Sequence, residues 1–175
     1  MIVVYRSGRY RRIVEPDWRN PADISYSRAH GGRWNPTAEF GELYLNATLS
    51  VAAANARARH AGRALKLFDL LPHERAQAVA FDTSPTSVVD VATVAGIADL
   101  GLPQSFPFEV LSQPCQDVAR SARNAGISGI ACRSAAEANS RWTAGEELAL
   151  FEGNELPTPG ERRPFAKWYP DPIPG

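Results

Sequence analysis

The sequence predicts a single-domain α+β fold, and three observations carry that expectation. The chain has 175 residues, the length of one domain. Strand-like and helix-like segments follow one another irregularly, without the strand–helix–strand repetition that builds a doubly wound sheet. With 44% apolar and 22% charged residues, the composition is that of an ordinary globule that buries a core without help from a metal or disulfide.

The elements follow in order. Met1–Arg6 is rich in β-formers (Ile2, Val3, Val4, Tyr5) and reads as a first strand. Pro16, Pro21, Gly31, Gly32 and Pro36 break any period across residues 15–38, which read as loop. Glu42–Leu45 is a short strand. Asn46-Ala47-Thr48 then supplies a cap, and the Ala-rich run Leu49–His60 a helix that stops before Gly62. Leu65–Leu71 and Gln77–Thr83 read as strands about a Pro-His turn, and residues 88–103 as a strand followed by a short helix. Gln113–Asn124 is a helix with Val118, Ala119 and Ala122 on one face and Gly126 just past its end. Ile127–Cys132 and Leu148–Phe151 complete the strands. Six prolines in the last nineteen residues predict an extended tail over 157–175, anchored by Trp168 and Tyr169, beside a domain over 1–156.

Charge and cysteine content exclude several classes. Nineteen basic and nineteen acidic residues cancel, which argues against an electrostatically driven nucleic-acid binder. No apolar run approaches the roughly 18 to 20 residues of a membrane helix, and MIVVYRSGRYRR has the wrong order for a secretory signal. Cys115 and Cys132 fall in no metal-binding spacing, and His30, His60 and His73 are scattered, so no metal is expected. Two unpatterned cysteines fit a reducing cytoplasm.

The neutral balance hides an asymmetry. Residues 1–63 hold ten arginines against five acids; the remainder holds nine basic residues against fourteen acids. Arginine presents a planar fork that matches phosphate or carboxylate bidentately, so a few N-terminal arginines are candidates for an anion site. The densest such stretch is Gly31-Gly32-Arg33-Trp34-Asn35-Pro36, followed by Tyr44 in a strand. The glycines let backbone approach a ligand, and Arg33 is placed to clamp a phosphate. The same stretch also reads as a tight turn with Trp34 packed in the core.

Tyr5-Arg6 in the first strand, GGRWNP at 31–36, the LYL strand at 43–45 with its following helix, and Gly129–Ser134 before ELALF together resemble the RES domain family, over about residues 3–152. The resemblance implies a fold like that of ADP-ribosyltransferase toxins, with mixed sheets and flanking helices. It implies a cytoplasmic bacterial toxin that takes NAD as substrate without a metal, held by an Xre-type helix-turn-helix antitoxin, with no membrane or direct nucleic-acid contact; a homodimer is compatible with it. Carried over by position, Arg33 would hold a phosphate of NAD, Tyr44 would pack on the nicotinamide side, Arg6 would give a second phosphate contact, and the Ser134 hydroxyl would bond the ribose or hold Arg33.

One position departs from the family pattern. The family carries a Glu in the helix after the YL strand; here that place is Asn55. A carboxylate there would stabilise the oxocarbenium-like charge that grows as nicotinamide leaves. Asn55 brings a hydrogen bond and no charge. Either another acid serves, with Glu42, Glu146 and Glu147 as candidates, or the chain is a weakened member that binds without turnover. A protein ADP-ribosyltransferase is the remaining alternative. On this reading Asn55→Glu is expected to raise NAD cleavage.

Overall fold

The computed structural model describes residues 1–65, 69–136 and 145–164. Its elements run Val3–Val14 (β1), Ser25–His30 (α1), Glu42–Asn46 (β2), Leu49–Ala58 (α2), Gln77–Val91 (β3), Val94–Asp99 (α3), Ser112–Asn124 (α4), Gly129–Arg133 (β4), Glu146–Phe151 (β5) and Pro159–Pro164 (β6). This is the expected α+β class: one mixed six-stranded sheet ordered β1-β2-β5-β4-β3-β6. The sheet also curls until β1 pairs along β3 from Val3↔Val89 to Val14↔Gln77. Among the described strands only β3 and β4 run parallel. Their connection is the long one such a pair requires, and it contains α3 and α4.

Two strands outrun their sequence signal. β1 continues through the basic run to Val14, because Gly8 at φ 105° takes up a register shift between Arg6 and Gly8. Beyond it, Arg9 reaches solvent and Asp82 while Tyr10, Ile13 and Val14 are buried. The segments Gln77–Thr83 and 88–91 are one strand, β3, which passes through Pro85 at the irregularity opposite Ser7. A proline is tolerated there because no ladder bond is asked of it.

Other expectations need correction. Residues 15–38 include the short helix α1, which has no side-chain cap and follows Asp23, whose carboxylate accepts from the Ser25 N–H at 2.8 Å. Leu65 and Asp69–Leu71 are not strand, and Lys66–Phe68 lie outside the described residues. Within the proline-rich segment, β6 adds to β3 as an antiparallel edge strand. Trp168 and Tyr169 lie outside the described residues.

Packing follows the two faces of the sheet. In β5, Leu148 and Leu150 enter one cluster with Tyr10, Val14, Leu43, Leu45 and Phe81. Ala149 and Phe151 enter the other, with Trp34, Phe40, Phe106 and the buried face of α4 (Cys115, Ala119, Ala122). Period-two alternation therefore sends Glu146 and Glu147 to opposite faces. α2 lays Ala52, Ala53 and Ala56 on Ile13 and Ala78. Small side chains let the helix approach closely, and Thr48 caps it by accepting from the Val51 N–H at 3.2 Å.

Candidate functional site

A cleft of about 810 Å³ opens between β1, β2, α2 and the helix α1 that ends at Gly31. That volume lies within the range of small-molecule sites. One wall is polar. Asn46 at the end of β2 and Glu147 at the start of β5 are register partners. From α2, the Asn55 Nδ2 donates to Asn46 Oδ1 at 2.7 Å and to Glu147 Oε1 at 2.8 Å. Asn46 is itself held through Nδ2 by the Arg11 carbonyl at 2.9 Å. The cap at Thr48 and the alanines beneath α2 set the helix so that Asn55 looks into the cleft.

The cleft also carries basic side chains. Arg12, Arg59 and Arg63 line it with His60. Arg12 is 8% exposed; its NH1 donates to the carbonyls of Pro21 at 2.6 Å and Asp23 at 2.8 Å. Burial, and then the neighbouring charge of Arg59, lower its pKa to about 10, so it stays cationic at neutral pH. Its guanidinium lies 5.4 Å from the centre of the Trp18 ring, which shares the cleft. Arg59 reaches Glu15 at 3.2 Å.

Tyr44 lines the cleft beside Asn46. Its hydroxyl donates to Asn35 Oδ1 at 3.1 Å, and Asn35 is tied through Nδ2 to the Ser27 carbonyl at 2.7 Å and the Phe40 carbonyl at 3.2 Å. Burial, then the charge of Glu42, hold the phenol well above its usual pKa. The GGRWNP stretch is thus both a turn and a site support. The Gly32 N–H bonds the Asn35 carbonyl at 2.8 Å, while buried Trp34 donates from Nε1 to Cys132 Sγ at 3.3 Å.

Of the residues singled out in the sequence, Tyr44 and Asn55 meet in the cleft. Arg6, Arg33 and Ser134 stand apart from its lining. Arg6 is engaged elsewhere: its Nε and NH2 grip both oxygens of Glu146 at 2.9 to 3.0 Å, and Tyr10 donates to the same carboxylate at 3.2 Å. Arg33 sits over the Phe106 ring at 5.7 Å. Its charge and that of Glu147 act with opposite sign on the Cys132 thiol, which burial pushes well up. Ser134 is 1% exposed, and its hydroxyl finds no hydrogen-bond partner among the described residues. Among the acids, Glu147 lines the cleft, Glu146 is bound to Arg6, and Glu42 is fully buried near Tyr44.

Arg12, Arg59 and Arg63 were not singled out by motif. The arginine excess of residues 1–63 was the available signal, and it did not say which members converge. Among the described residues, no group of three or more His, Cys, Asp or Glu is placed to hold a metal. None of their helices is long and apolar enough to cross a membrane.

Residues 9–167 match the family model described as the RES domain. No curated protein matches the chain. Among solved structures, the fold is similar to a chain in the crystal structure of the M. tuberculosis MbcT–MbcA toxin–antitoxin complex. The TM-score is 0.77 at 16% identity, covering 93% of this chain and 86% of that one.

Proposed function

The chain belongs to the RES domain family, and from that premise we propose that it is the NAD-depleting toxin of a bacterial toxin–antitoxin pair. It breaks the bond between nicotinamide and ribose, with water or phosphate as acceptor. The observation that carries this reading is the cleft itself, which brings Arg12, Arg59 and Arg63 together with Tyr44, Asn55 and Glu147. A dinucleotide has complementary chemistry, with an anionic pyrophosphate in the middle and an uncharged ribose beside a flat cationic ring at one end. Arginine forks suit the pyrophosphate. Tyr44 offers an aromatic surface for the nicotinamide, and Asn55 a hydrogen-bonding amide for the ribose hydroxyls. Arg33 and Ser134 would contribute from outside its lining.

The reading is supported further by the shared fold with a chain of a toxin–antitoxin complex. An Xre-type antitoxin would be the partner, and the cytoplasm the compartment where both meet NAD.

Asn55 favours a second reading, a member that holds NAD or the antitoxin without turnover. NAD levels after induced expression decide between them. The proposed toxin drains NAD, and both Arg33→Ala and Tyr44→Ala restore it. Unchanged NAD with the unaltered sequence would leave the binding-only reading.

A further inference from the structure

We propose that Glu147 is the catalytic carboxylate of this chain, moved from helix α2 to strand β5, with Asn55 as the residue that positions it. The proposal rests on the NAD-cleaving function above.

Placement selects Glu147 from three acids. The alternation of β5 turns Glu147 toward Asn55 and the cleft, and turns Glu146 away into a bidentate pair with Arg6. Glu42 shares the face of β2 with Tyr44 but is sealed from the cleft. Glu15, the other acid in the cleft, is paired with Arg59. Glu147 alone lies in the cleft with no cation bound to it among the described residues.

The hydrogen bonding is suited to the task. Asn55 Nδ2 donates to Glu147 Oε1 at 2.8 Å and to Asn46 Oδ1 at 2.7 Å, so one amide is braced against two acceptors. That contact uses one of the roughly four lone-pair sites of a carboxylate. The others remain for ribose hydroxyls. Asparagine at 55 also leaves Glu147 without a like charge beside it, which a second carboxylate there would impose.

In the step itself the C–N bond between the ribose anomeric carbon and the pyridinium nitrogen breaks, and its electron pair stays on nitrogen, giving neutral nicotinamide. Positive charge grows on the ribose, where the Glu147 carboxylate stabilises it. Water adds to the anomeric carbon and releases its proton to solvent. NAD⁺ and water give ADP-ribose, nicotinamide and one proton, so charge and atoms balance.

The test measures nicotinamide release and NAD affinity on the full-length chain. Glu147→Gln is expected to slow release by about 100-fold, with NAD affinity changed less than threefold. Asn55→Glu alone, contrary to the sequence-based expectation, lowers the rate at neutral pH, because two adjoining carboxylates share a proton. The double variant Asn55→Glu with Glu147→Gln restores one charge in the same cleft and recovers at least tenfold over Glu147→Gln, a rescue that a merely structural role for Glu147 would not give. A Glu147→Gln protein releasing nicotinamide within threefold of the unaltered chain overturns the assignment and leaves the function standing. An unaltered chain that releases none overturns the function itself.

Discussion

A Cβ on residue 32 would sit 2.7 Å from the Tyr44 hydroxyl and 2.7 Å from Asn35 Oδ1. Gly32 is therefore the space in which the tyrosine meets its acceptor. Gly32→Ala should push Tyr44 off Asn35 and cost about 1 to 3 kcal/mol of stability, as overpacking does. A Tm fall with weakened NAD binding is the expected pair of results. Unchanged values for both would mean that the loop yields freely.

Arg6 and Glu146 form a part-buried bidentate pair, with side-chain exposures of 26% and 22%. Arg6→Ala leaves that carboxylate with Tyr10 and water, and should destabilise the fold by about 1 to 3 kcal/mol. NAD affinity, measured by calorimetry on the folded variant, should stay within threefold. A large loss of affinity would bring Arg6 back to the phosphate role.

Glu42 gives the protein a pH-dependent stability. Burial moves its pKa from 4.5 to about 8. Between those values the folded state binds a proton that the unfolded state has lost, so stability falls as pH rises from 4.5 to 8 and then levels off. The fall is on the order of 5 kcal/mol. Denaturant melts at several pH values should show this slope in the unaltered chain and a flatter one in Glu42→Gln. Parallel slopes would assign the titration to other groups.

The arginine wall also predicts how an antitoxin would dock. Arg12, Arg59 and Arg63 present positive charge around one opening, which suits an acidic or carboxylate-terminated segment. A complex with the product of the adjacent gene should form at low salt, weaken as salt rises, and be displaced by NAD. Binding that neither salt nor NAD affects would place the partner on another surface.

Local physics made much of this protein readable in its sequence. The cores of β2, α2 and α4 follow from β-rich or alanine-rich runs bounded by Thr48, Gly62 and Gly126. The GGRWNP–Tyr44–Asn55 spacing marked two residues that do line the cleft. Where the signal was local but the cause was not, the expectation fell short. β1 and β3 are long because each is the other's ladder, and a strand's length is set by its partner. β6 is a strand because β3 offered it an open edge. The same limit applied to the site. Sequence counted ten arginines in residues 1–63 but could not say that 12, 59 and 63 converge while 6 turns to Glu146. It named three acids and could not choose among them. The choice belongs to the tertiary structure: consecutive residues of a strand face opposite ways, and only pairing β5 with β2 and packing α2 over that face decide that Glu147 meets Asn55.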